Sequence, residues 1–89
     1  MTVAAVQVNV LFFASIREAV GVDRIQVAIK GEHNDIAAVI DKLCQQNPCW
    51  AVVIKSRKVL AALNQEMAHF DSTVSDGDEI ALFPPVTGG

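Results

Sequence analysis

The chain has no tyrosine, one tryptophan and two cysteines in 89 residues, and its seven Lys and Arg are outnumbered by ten Asp and Glu. Each shortage excludes something. Cys44 and Cys49 are too few for a disulfide scaffold. With only two scattered histidines, His33 and His69, they also fall short of the four convergent ligands of a zinc site, so no metal is expected. A net charge of −3 lacks the basic excess that neutralises phosphates, which removes nucleic acid as a partner. No apolar run approaches the ~18 residues of a membrane span. The apolar N-terminal stretch has no basic residue before Arg17 and is broken by Gln7 and Asn9, so it does not read as a signal peptide. A cytoplasmic protein of one domain is expected. A chain this short buries only about 60 to 65% of its unfolded surface, which leaves little room for a catalytic cavity of its own.

What is present is strongly patterned. Over residues 5–14, Val6, Val8, Val10 and Phe12 alternate onto one apolar face, while Gln7, Asn9, Leu11 and Phe13 form an opposite face that starts polar and ends apolar. Ser15 and Glu18 fit a capping box for a short helix over 16–20, which Gly21 stops. Ile25, Val27 and Ile29 alternate in a second strand, too close for a parallel crossover, so the first two strands are expected to be antiparallel neighbours. Ile36, Val39, Ile40, Leu43 and Cys44 then mark the main amphipathic helix, capped by Asn34 or Asp35 and ended at Asn47-Pro48. Residues 49–55 are ambiguous between helix and strand, with a helical turn after Pro48 favoured.

The remainder reads as strands: Val59–Leu63, a tight turn at Asn64-Gln65, then Glu66–Phe70, with Met67 on the outer phase. A turn at Asp76-Gly77-Asp78 leads to Glu79–Phe83, with Ile80 and Leu82 inward and Ala81 and Phe83 outward, and Pro84-Pro85 ends that strand. Strands with one main helix on one face make an α+β fold. The element order resembles that of the β-grasp, ubiquitin-like architecture, and that resemblance implies first and last strands side by side and parallel within a mixed sheet.

Three stretches carry a resemblance to a known family. The segment SDGDEIALFPPVTGG, from Ser75 to Gly89, resembles the C-terminal signature of the small, sulfur-carrying subunits of molybdopterin synthase, the MoaD/ThiS group. FFASIREAVG, from Phe12 to Gly21, resembles their first strand and helix, and LAALNQ, from Leu60 to Gln65, their third and fourth strand region. Trp50 also sits where such proteins carry tryptophan. Departures are Ser56-Arg57-Lys58, where an acidic or Gly-containing turn is common, and a few extra N-terminal residues.

The resemblance implies a β-grasp domain over residues 1–84 and a flexible tail over 85–89. It implies that the chain is no enzyme by itself but the sulfur-donating half of a heterotetrameric synthase. The working group is then the α-carboxylate of Gly89, adenylated with ATP by an activating enzyme and converted to a thiocarboxylate. The sulfur goes to cyclic pyranopterin monophosphate in the large subunit, where two carriers build the dithiolene. No cofactor is bound permanently, since ATP belongs to the activating enzyme. Gly88 and Gly89 lack side chains and suit a narrow channel, Pro85 stiffens the root, and Val86 and Thr87 complete the tail.

In such a sheet Phe13 and Phe83 adjoin on the uncovered face, and Met67 extends the patch, so these three are expected to dock both partners, with Arg17 beside them. Asp76, Asp78 and Glu79 either meet a basic partner or solvate their turn. Cys44 reads as a buried small hydrophobe, Cys49 as an unactivated thiol, and His33 and His69 as structural or solvated. Three other functions fit less well: a carrier for thiazole synthesis, a ubiquitin-related protein modifier, and a stand-alone enzyme, for which no nucleophile and base are paired.

Overall fold

The computed structural model describes residues 6–30, 34–56 and 58–85. The expected strand start at residue 5, the loop position of His33, and tail residues 86–89 lie outside them. The element order is β1 (Val6–Phe12), α1 (Ala14–Val20), β2 (Arg24–Ile29), α2 (Ile36–Gln46), α3 (Pro48–Ser56), β3 (Leu60–Leu63), β4 (Glu66–Ala68) and β5 (Glu79–Phe83). The strands form one mixed sheet in the order β2-β1-β5-β3-β4. As expected, β1 pairs antiparallel with β2 and parallel with β5, so the first and last strands are adjacent inside the sheet.

The alternation in the sequence maps onto the two faces. Val8, Val10 and Phe12 from β1, Val27 and Ile29 from β2, and Ile80 and Leu82 from β5 are all buried, and pack with Ile36, Val39, Leu43 and Ile54 of the helices in one core. Each large side chain buried this way contributes about 1.5–3 kcal/mol. Phe12 also meets Trp50 edge-on, with ring centroids 5.5 Å apart at 71°.

The main helix α2 behaves as its stripe requires. Asp35 is its cap, accepting from the Ala38 amide at 2.8 Å. The preceding free amides are met by a distant loop: Ile36 N–H donates to the Ser72 carbonyl at 3.1 Å and Ala37 N–H to that of Phe70 at 2.8 Å.

Several local expectations give way. No side chain caps α1: Ser15 lies inside the helix, and the N-terminal position belongs to Phe13. The chain passes directly from strand to helix, with the Phe13 carbonyl accepting from both Ile16 and Arg17, and Ala14 taking a left-handed φ of 54°. Gly21 does stop the helix, at φ 88°. The helical turn after Pro48 is a nine-residue helix, with proline at its first position, where a missing amide is harmless. Among the described residues three helices flank the sheet: the short α1, the main α2, and α3 in place of the single turn favoured after Pro48. β4 ends at Ala68, because Phe70 turns to bind the start of α2, so His69 and Phe70 lie beyond the strand.

Candidate docking face and tail root

On the uncovered face, pairing aligns side chains in rows. Leu11 stands beside Ala81, Ala81 beside Ala62, and Ala62 beside Met67. One step along, the Phe13 amide donates to the Leu82 carbonyl at 3.1 Å, which places Phe13 beside Phe83, and Phe83 faces Leu60. The next row in the other direction is polar: Gln26, Asn9 and Glu79. The face is thus divided into an apolar half and a polar half.

Phe13 is 45% exposed and Met67 67%, while Phe83, Leu60, Leu11 and Ala81 are half-buried. Apolar side chains gathered on a sheet face that no helix covers are uncommon on a small monomer and mark a contact surface. The structure therefore brings Phe13, Phe83 and Met67 onto one face. Leu60 and Leu11 join them, and Leu60 was not singled out from sequence. In Leu60-Ala-Ala-Leu63 every residue is apolar, so alternation gives no phase; only pairing with Phe83 reveals which side Leu60 takes.

Arg17 is exposed on α1 and shares with Phe13, Arg24 and Glu79 an open cleft of about 350 Å³ at the border of this face. β5 ends at Phe83, and half-buried Pro84 and Pro85 follow outside the ladder. The tail thus leaves the sheet from the row that holds Phe13, Phe83 and Leu60.

The acidic turn is occupied rather than free. Asp76 Oδ1 accepts from the Gln7 amide at 2.8 Å; Asp78 Oδ1 accepts from the Asn64 side-chain amide at 3.1 Å and Oδ2 from the Ser75 amide at 2.8 Å. These carboxylates fix where β5 enters the sheet.

The two cysteines lie on the helices rather than on the uncovered sheet face. Cys44 is buried on α2, and its thiol pKa is raised by burial, with Lys55 opposing and Asp41 adding to the shift. Cys49 is exposed on α3. His69 is exposed, its amide donating to Ser72 Oγ at 3.1 Å. An open groove of about 550 Å³ lies between α2, α3 and β3, with an apolar lining of Ile40, Ile54, Val59 and Phe70, and borders the apolar half at Leu60. Among the described residues, no cluster of His, Cys, Asp or Glu could hold a metal, and no helix is long and apolar enough to cross a membrane.

Comparison with known proteins extends this geometry. The sequence model of the ThiS family matches residues 10–89. The molybdopterin synthase sulfur carrier subunit of Haemophilus influenzae is 47% identical over 81 residues, covering 91% of this chain and 98% of that protein. Among solved structures, SAMP1 from Haloferax volcanii superposes with a TM-score of 0.77 at 25% identity, covering 93% of this chain and 99% of its own. A protein–protein complex of subunits 1 and 2 of the molybdopterin-converting factor from Helicobacter pylori contains a chain 26% identical, with a TM-score of 0.61 and coverage of 93% and 99%.

Proposed function

Because the chain belongs to the ThiS family, we propose that it is the sulfur carrier subunit of a molybdopterin synthase, inactive alone and functional only when docked to partners. The relative from Haemophilus influenzae carries that name, and the Helicobacter pylori neighbour is held in a complex with subunit 2. The observation that carries the reading is geometric: the apolar half of the uncovered sheet face ends where β5 releases the tail. A partner seated on Phe13, Leu60, Phe83 and Met67 receives the Gly-Gly terminus in the same encounter. Five residues beyond Pro84, at 3.3–3.6 Å each, reach roughly 17 Å, enough to enter a neighbouring pocket.

The chemistry follows from the terminal group. The Gly89 carboxylate is a poor electrophile. Attack of its oxygen on the α-phosphorus of ATP, in an adenylating partner, expels pyrophosphate and leaves an acyl-adenylate. Sulfur from a persulfide displaces AMP, and thiol reduction of the resulting disulfide leaves a thiocarboxylate on Gly89. That soft nucleophile attacks the cyclic pyranopterin in the large subunit, and two charged carriers supply the dithiolene. Gly88 lets the backbone pass a narrow channel, and Pro85 limits the entropy lost as Val86 and Thr87 order. Arg17 supplies a charge at the rim of the contact. ATP is consumed by the partner, the carrier holds no resident cofactor, and the setting is the cytoplasm.

The test is intact mass after incubation with ATP, an adenylating enzyme and a sulfur source. The gain should equal replacement of one oxygen by one sulfur, localise to Gly89, and vanish when Gly89 is deleted. An unchanged mass with a competent enzyme overturns the reading. The likeness to SAMP1 favours a second reading, a protein modifier joined to lysines through the same carboxylate. Lysine conjugates carrying this chain in cell extract would decide for it, and binding to the large subunit of thiazole synthesis instead would identify a carrier for that pathway.

A further inference from the structure

The sheet has a long free edge at β2, which meets the apolar half only at its Arg24 end, beside Leu11. β2 is an edge strand of six residues, and β4 at the other edge has three. The Phe12 amide donates to the Asp23 carbonyl at 2.9 Å, which fixes the parity of the β1–β2 ladder. Ile25, Val27 and Ile29 therefore direct their backbone groups to β1, and Arg24, Gln26 and Ala28 direct theirs outward. Among the described residues, nothing bonds to those outward groups.

Helix α2 packs on β2 without closing this edge. Its Ala38, Lys42 and Gln45 stand on the near stripe, and the short Ala38 leaves a groove of about 450 Å³ beside Ala28 and Ile29. Among the described residues, Lys30 and Lys42 line that groove together with one acid, Asp41, which Lys55 engages at 3.4 Å. In a chain with only seven Lys and Arg and a net charge of −3, the described residues of this groove carry a cationic excess.

We propose that the β2 edge is a second docking site, taking an extended acidic segment of a protein partner as an added strand. Outward amides and carbonyls supply main-chain bonds, the groove receives alternate side chains, and Lys30 and Lys42 select acidic flanks. A second copy of the chain fits poorly. Antiparallel pairing of two β2 strands about Val27 sets Arg24 of one opposite Lys30 of the other, and facing like charges disfavour a strand pair. The edge is separated from β5 by β1, so it can be occupied while the chain end that follows β5 is engaged.

The probe is a labelled nonapeptide of alternating valine and threonine flanked by paired glutamates, titrated into the full chain and followed by amide NMR shifts. Shifts at Gln26 and Ala28, with those at Phe13 and Phe83 unmoved, support the proposal. The double variant Lys30→Glu/Lys42→Glu should weaken binding about tenfold and accept a lysine-flanked peptide instead. Ala28→Pro removes an outward amide without touching the β1 ladder, and should weaken binding about fivefold while the fold survives. Absence of shifts at Gln26 and Ala28 at millimolar peptide, shifts centred on Phe83, or equal binding of the lysine-flanked peptide to the wild-type chain would each overturn it. Concentration-dependent dimerisation through β2 would overturn it in favour of a second copy.

Discussion

Asn64 pairs with Glu79 through both of its ends: its amide donates to the Glu79 carbonyl at 2.8 Å, and its side-chain Oδ1 accepts from the Glu79 amide at 3.0 Å. The side chain stands in for the carbonyl that Asn64, at φ 51°, has turned away, and so lengthens the β3–β5 ladder by one pair beyond Leu63 and Ile80. With Gln65 at φ 72°, the turn from β3 to β4 has positive φ at both central residues, the geometry that suits a two-residue hairpin. Asn64 Nδ2 donates to Asp78 Oδ1, so one residue ties the hairpin to the acidic turn.

Replacing Asn64 separates these contributions. Asn64→Gly keeps the left-handed backbone but loses the side-chain bonds, at a cost of about 1–2 kcal/mol. Asn64→Ala loses the bonds and adds left-handed strain, for a cost of about 2–3 kcal/mol. Urea denaturation should rank stability as wild type, Gly, then Ala; an alanine variant at least as stable as the glycine one would contradict the assigned backbone role.

The cap of α2 yields a cleaner number. Asp35→Ala strands the Ala38 amide and should lower stability by about 1 kcal/mol. Asp35→Asn or Asp35→Ser should recover most of that loss, measured by the same denaturation midpoints.

Phe83→Ala addresses the apolar half. Phe83 is half-buried between Phe13 and Leu60, and its loss should weaken binding to the synthase large subunit by at least about 2 kcal/mol, or roughly thirtyfold. Calorimetric titration is the measurement, with circular dichroism to verify the fold. Gln26→Ala on the polar half should leave that affinity unchanged; an unchanged affinity in Phe83→Ala would sink the docking assignment.

Cys44 gives a pH dependence of definite sign. Burial raises its pKa, so the folded chain favours the neutral thiol while the unfolded chain ionises at its ordinary value. This group's contribution is fully present below the unfolded pKa of about 8.5 and is lost as pH rises through the folded one. The urea midpoint should therefore fall between pH 7.5 and pH 10 (both about one unit or more from that value), and Cys44→Ala should flatten the part of the decline that Cys44 causes.

The alternation of Val8, Val10 and Phe12, of Val27 and Ile29, and of Ile80 and Leu82 by itself determined which side of each strand enters the core. The stripe from Ile36 to Cys44 determined α2, and Gly21 the end of α1. These are local signals, because period and backbone freedom belong to neighbouring residues. Tertiary structure alone decided the side that Leu60 takes, since an all-apolar strand has no phase until it pairs with Phe83. It also decided the start of α1 at Phe13, whose amide is held by β5, and the end of β4, where Phe70 turns to satisfy α2. The roles of Asp76 and Asp78 were equally out of reach, because Asp76 bonds to Gln7 across 69 positions of chain. What sequence left open was settled by hydrogen-bond partners distant along the chain, and only folding brings such groups within hydrogen-bond reach of one another.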